Sequence, residues 1–172
     1  QGRGSFLDSQ SLLVVNDAGE ERLVRYDKAI LATGSRPVIP EQFLLDTPRI
    51  MTSTTALKIP NIPKTLLVVG GGYIGLEIGS VYAALGTQVT IIEMAGDILP
   101  GADEDLVHFL SARIRQLAHR VVLKAGVQAM KEVSGGIEVA MEGEDIHETH
   151  VFEKVLVTVG RRPNSSGIGL AS

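Results

Sequence analysis

Apolar residues along the chain recur with two different periods. Leu66–Val69, Val89–Ile92 and Lys154–Val159 are short apolar runs, the pattern of strands covered on both faces. Ile74, Ile78, Val81 and Leu85 repeat at helical spacing and predict a helix from Tyr73 to Leu85, stopped by Gly86. Leu106, Leu110, Ile114 and Leu117 predict a second amphipathic helix, with Asp103, Glu104 and Asp105 loading its N-terminus with favourable charge. Val121–Leu123 reads as a third parallel strand. Strand and helix therefore alternate, which predicts an α/β fold around a mainly parallel sheet. Gly126–Val133 and Gly135–Met141 read instead as antiparallel strands turning at Ser134-Gly135-Gly136, and the polar stretch Glu142–His150 separates them from the 154–159 strand.

The first third is less regular. Leu12–Val15 and Arg22–Tyr26 flank a turn at Asn16–Glu20, and Lys28–Ala32 reads as a short strand. Pro37, Pro40, Pro48, Pro60 and Pro63 punctuate an irregular connection, within which Ser53–Leu57 has the pattern of a capped helical turn. No repeat or low-complexity tract interrupts the chain.

Composition narrows the picture. The 172 residues are 44% hydrophobic and 21% charged, an ordinary globular balance. A net charge of −4 without a Lys/Arg cluster argues against nucleic acid as a partner. No apolar run approaches the roughly 20 residues of a membrane span. The chain has no cysteine, so a disulfide framework, a thiolate metal site and dithiol redox chemistry are excluded within it. It fits a reducing compartment, and no signal-peptide core is present at the start. The start also lacks Met, which suggests a piece of a longer protein.

The most informative stretch is Leu66–Gly75, a buried-strand run followed at once by Gly70-x-Gly72-x-x-Gly75. Eighteen residues beyond Gly75, at the end of the next strand, stands Glu93. Strand, glycine turn, helix, strand and acid form the dinucleotide-binding βαβ fingerprint of a Rossmann-like domain. Gly70 permits the sharp turn, Gly72 permits close approach of a pyrophosphate, and Gly75 permits close helix–sheet packing. Gly79 and Ala83 continue the small residues along the helix. The helix N-terminus, with the amides near Tyr73 and Ile74, would meet the phosphates. Glu93 would accept hydrogen bonds from the adenosine ribose and repel a 2′-phosphate, which favours NAD over NADP.

Three blocks, Ala29–Pro37, Gly70–Leu85 and Gly160–Asn164, resemble the flavin-dependent disulfide reductases in order and spacing. Gly70–Glu77 followed by Gly79-Ser80-Val81, and Leu99–Asp103, resemble the branch that oxidises dihydrolipoamide. The resemblance implies a parent with an FAD domain, an NAD domain and a dimerisation domain, of which this chain is the middle third. Residues 1–45 and 159–172 would be parts of the FAD domain and 46–158 the NAD-binding domain with its antiparallel β-meander. The redox disulfide, the first flavin motif and the C-terminal His-Glu pair of the family have no counterpart here, so no catalytic residue is expected in this chain. The parent would use FAD and NAD, act as a homodimer on a lipoylated acyltransferase or lipoyl carrier protein of a 2-oxo acid dehydrogenase or glycine cleavage complex, and reside in the cytoplasm, or in the mitochondrial matrix of a eukaryote. Other flavoproteins with the same middle third (NADH oxidase, mercuric reductase, transhydrogenase) stay open, as does a non-enzymatic NAD-sensing domain, and as does an isolated chain that binds nothing measurable because its site needs the flavin domain as one wall. Upstream sequence carrying C-x4-C after a flavin motif would discriminate the first group. A sensing domain has no need of the 29–37 and 160–164 blocks.

The resemblance also implies individual roles. Glu77 would lie near the nicotinamide, Gly160 beside it, and Val127 near the adenine. From the residues alone, Glu77 reads equally as a helix-surface acid, Gly160 as a strand terminator and Val127 as core. Thr33 and Gly34 resemble a contact to the FAD adenosine, in a site too incomplete for tight FAD binding. His147, Glu148 and His150 lie in a polar hairpin and read as solvated, without a third ligand of the metal-site kind. His108 and His119 read as surface residues.

Overall fold

The computed structural model describes residues 1–170, and its contacts divide the chain into two units, Gln1–Arg36 with the stretch from Arg161 on, and Pro37–Gly160. In the smaller unit, β1 (Arg3–Phe6), β2 (Ser11–Val15) and β3 (Glu21–Arg25) form an antiparallel sheet in that order. β4 (Ser35–Pro37) pairs with β13 (Arg161–Pro163) in a short ribbon. The strand expected at Lys28–Ala32 does not form. Its residues are irregular and Ile30 is 95% exposed, because no strand among the described residues lies alongside to accept its backbone bonds.

The larger unit is built on a five-stranded, all-parallel sheet. Its strands are β5 (Ile50–Met51), β6 (Thr65–Val69), β7 (Gln88–Ile92), β8 (Arg120–Val122) and β12 (Lys154–Val157), in the order β5-β12-β6-β7-β8. Successive side chains of a strand point to opposite faces, and β6 divides accordingly. Leu66 and Val68 meet α1 (Ser53–Ala56), α2 (Tyr73–Ala84) and α3 (Glu104–Leu117) in a cluster with Leu76, Ile78, Tyr82, Val107 and Ile114. Leu67 and Val69 face the other way, into Met130, Ile137, Val139, Met141 and Phe152 of the β-meander. That meander is β9 (Ala125–Val133), β10 (Gly136–Gly143) and β11 (His147–Phe152), antiparallel, with a bulge between Ala140 and Met141. A short 3₁₀ turn at Glu41–Phe43 places Phe43 in the same core. Helices, sheet and meander thus form three layers.

Two helix faces differ from the sequence pattern. On α2 the buried residues are Gly75, Leu76, Ile78, Gly79 and Tyr82, whereas Val81 and Leu85 are 47% and 42% exposed. The helix meets the sheet through its glycines: a Cβ on Gly79 would lie 3.4 Å from Val68. On α3 the buried residues are Val107 and Ile114, and Leu106 is 64% exposed. The polar stretch Glu142–His150 also contains most of β11, which pairs residue by residue with β10 from Ile137 to Glu142. Among the described residues, no helix is long and apolar enough to cross a membrane.

Candidate functional site

The carboxyl ends of β6, β7 and β12 lie side by side, since the three strands are parallel and Val69 stands beside both Ile92 and Val157. Ligands of open α/β sheets bind at this edge. β6 ends in Gly70, whose φ of +105° turns the chain in a way that L side chains resist. Gly75 has no room for anything larger. A Cβ there would overlap the Gly70 carbonyl oxygen and lie 2.7 Å from Thr158 Oγ1.

Gly72 behaves differently. Its φ of −75° suits any residue, and an added Cβ would meet nothing within 4 Å. It is the N-cap of α2, and no side chain caps that end. The first-turn amides of an uncapped helix have no intrahelical partner, and the helix dipole adds positive potential there.

Glu93 closes the other side. Its Oε2 accepts the Gly71 N–H at 2.7 Å and its Oε1 accepts the Ala95 N–H at 2.8 Å. An ionised carboxylate offers about four lone-pair positions, so about two remain for further donors. The side chain is half-buried against the turn, and a Cβ on Gly71 would come within 3.1 Å of it.

Three neighbours hold this turn that the sequence reading did not single out for the site. Gly71 O accepts the N–H of Leu99 at 2.9 Å. Thr158 donates its hydroxyl beneath the turn, 3.0 Å from Val69 O and 3.2 Å from Gly70 O. Ala125 N–H reaches Glu93 O at 3.1 Å and so ties the start of β9 to the same corner. The sequence signals were Thr158, a polar residue just past β12, and the Leu99-Pro100-Gly101 turn.

The remaining expected residues are dispersed around this centre. Tyr73 is 63% exposed, Ile74 is half-buried, and Glu77 lies exposed one turn along α2. Val127 is half-buried on β9, two residues past Ala125, and packs on the meander core. Gly160 is exposed just beyond β12, with φ +150°, and its carbonyl accepts the Val38 N–H at 3.1 Å. In the smaller unit, the carbonyls of Thr33 and Gly34 accept hydrogen bonds from Asn164 at 3.1 and 2.9 Å. Arg36 donates to the Asn164 side chain and Arg161 to Ser35, so Arg161 holds a local ribbon.

His147 and His150 belong to an exposed strand. Arg120 forks onto both Glu148 oxygens at 2.6 and 3.1 Å, and His150 Nε2 lies 2.7 Å from Glu148. Arg120, then His150, holds the Glu148 carboxyl down at about 2. Among the described residues, no group of three or more His, Asp or Glu is placed to hold a metal ion.

Known proteins resemble this chain in sequence and fold. Residues 2–172 match the family described as pyridine nucleotide-disulphide oxidoreductase, and the chain belongs to that family. Dihydrolipoyl dehydrogenase of Haemophilus influenzae is 40% identical over 95% of this chain, covering 34% of the relative. That of Geobacillus stearothermophilus is 39% identical over 99% of this chain, covering 36% of the relative. The chain thus spans about a third of the length of these relatives. Among solved structures, LpdA of Mycobacterium tuberculosis is similar over 99% of this chain and 38% of its own, with 28% identity and a TM-score of 0.84. A water-forming NADH oxidase of Lactobacillus brevis, at 20% identity over 95% of this chain and 37% of its own, shares the fold with a TM-score of 0.73.

Proposed function

We propose that this chain is the NAD-binding part of a dihydrolipoyl dehydrogenase. The observation that carries the reading is the meeting of Glu93 with an open, uncapped glycine turn at the sheet's carboxyl edge. Gly72 supports it: neither backbone conformation nor packing requires glycine there, so the open space is left for a ligand. A diphosphate suits the free amides, and the ribose hydroxyls suit the unused lone pairs of Glu93.

In this reading Gly70, Gly72 and Gly75 shape the diphosphate cradle, and the amides of Tyr73 and Ile74 face it. Val127 stands on the adenine side. Glu77 and Gly160 stand on the nicotinamide side. When bound, NAD supplies the hydride-accepting ring of the reaction. The chain's own residues bind and orient it. A 2′-phosphate at Glu93 would set like charges together, so NADH is preferred to NADPH.

The assignment to the lipoamide branch rests on the named relatives at 39–40% identity. Within the parent, we place the NAD-binding domain at 46–158 and assign 1–45 and 159–172 to an FAD domain, with Thr33 and Gly34 beside the FAD adenosine. The parent would be a cytoplasmic homodimer that oxidises dihydrolipoamide on a lipoylated acyltransferase or carrier protein of a 2-oxo acid dehydrogenase or glycine cleavage complex. Because this chain has no cysteine, the dithiol step must be carried by residues outside it.

Titration of NADH and NADPH, followed by nucleotide fluorescence, tests the reading. The expected result is tighter NADH binding, with the ratio narrowed or reversed in Glu93→Arg. An NADPH preference in the parent chain, or an unchanged ratio in the variant, would refute the assignment of Glu93.

A further inference from the structure

We propose that Leu99 is a positioning residue of the dinucleotide site, holding the Gly71 peptide in place before any ligand arrives. The inference rests on the NAD reading above and concerns how that site is kept in shape.

Gly71 is gripped at both ends of its backbone. Its N–H is taken by Glu93 and its carbonyl by the N–H of Leu99. Leu99 makes that second bond from φ +50°, in the left-handed region that bulky side chains avoid. The surrounding loop is built to enforce it. Ile98, only 2% exposed, anchors the loop in the helix-side core. Asp97 Oδ1 accepts the Ile98 N–H at 2.8 Å and the Ser111 hydroxyl of α3 at 3.1 Å. Leu99 O then accepts the Ala102 N–H at 3.0 Å, closing a tight turn with Gly101 at φ +92°. Pro before a positive-φ glycine is the sequence signature of a type II turn.

The consequence is a division of labour among the amides of the glycine turn. Gly71 N–H and C=O are both committed internally, so the donors left for a diphosphate lie further on, at the α2 N-terminus. Holding Gly71 also holds Glu93 Oε2, which orients the carboxylate that reads the ribose. Pre-set geometry of this kind reduces the ordering cost of binding.

The test uses Leu99→Gly, Leu99→Asn, Leu99→Val and Leu99→Pro in the full 172-residue chain. Gly and Asn accept positive φ and keep the N–H. Val keeps an apolar side chain but resists positive φ, and Pro removes the N–H altogether. Amide hydrogen exchange of Gly71 is measured without ligand, and NADH affinity separately. The expected result is about ten-fold faster Gly71 exchange and about ten-fold weaker NADH binding in Leu99→Val and Leu99→Pro. Gly and Asn should stay within about two-fold of the parent chain on both readouts, with β6 and β7 amides unchanged in every variant. If Leu99→Pro does not fold, the Val, Asn and Gly series carries the same ranking.

Equal Gly71 exchange across the series would overturn the proposal. So would Gly and Asn variants impaired as much as Val, since the side chain and not the backbone bond would then matter. Failure of the parent chain itself to bind NADH would sink the NAD reading, and with it the role in that site. The ligand-free exchange would still decide the grip on Gly71.

Discussion

A methyl group at Gly75 would overlap the Gly70 carbonyl and crowd Thr158 Oγ1, whereas one at Gly72 would stand in open space. The two glycines therefore answer to different demands, and two alanine variants separate them. Gly75→Ala should lower stability by about 1–3 kcal/mol, the usual cost of overpacking. Gly72→Ala should change stability by less than about 0.5 kcal/mol, as unconstrained surface substitutions do, yet weaken NADH binding. Thermal melts with parallel NADH titrations check this; equal losses of stability in both variants would contradict it. The glycines and Glu93 were readable from spacing because each is tied to a fixed step of the βαβ unit. Leu99 and Thr158 were not. They act through backbone groups and a hydroxyl brought in by other elements, and the local signals, a turn and a polar residue after a strand, do not say what those groups touch.

β11 shows how pairing overrides pattern at the scale of an element. Five of its six residues are not buried, and only Phe152 reaches the core, so no alternating apolar signal marks it. Its hydrogen bonds to β10 make it a strand. Charge fastens it further, through the Arg120–Glu148 pair that links β11 to β8. Arg120 and His150 lower the Glu148 carboxyl from its ordinary 4.5 to about 2. A carboxyl depressed by folding adds stability above its unfolded value, and that contribution is lost as pH falls through about 2. Melting temperature against pH should therefore fall less steeply in Glu148→Gln than in the parent between about 4.5 and 2. The effect at pH 7 should be small, because the pair is exposed to solvent. An acid limb identical in both proteins would argue against the pair as the cause. α2 teaches a related lesson. Its apolar spacing pointed to Val81 and Leu85, which are exposed, because the helix reaches the sheet through Gly75 and Gly79 and the apolar count misses that face.

The whole molecule combines a larger unit with a three-layer core and a smaller unit carrying the Thr33–Arg36 segment and Arg161–Asn164. The alternation of strand and helix was legible because buried parallel strands are continuous apolar runs. The Lys28–Ala32 run misled for the same reason: apolar residues that pair with no strand among the described residues look identical in sequence to those that do. Without cysteine, the chain should not reduce NAD⁺ with dihydrolipoamide even when FAD is added, as followed at the NADH absorbance band. Any sustained turnover would contradict the division of roles proposed above.

The most direct measurement is a titration of the chain with NADH and with NADPH, read at individual backbone amides. The account predicts that NADH shifts the amides of Gly72 to Gly75, Ala95 and Val127 and binds more tightly than NADPH. Shifts that miss the 70–75 turn, or equal affinity for the two nucleotides, would contradict it.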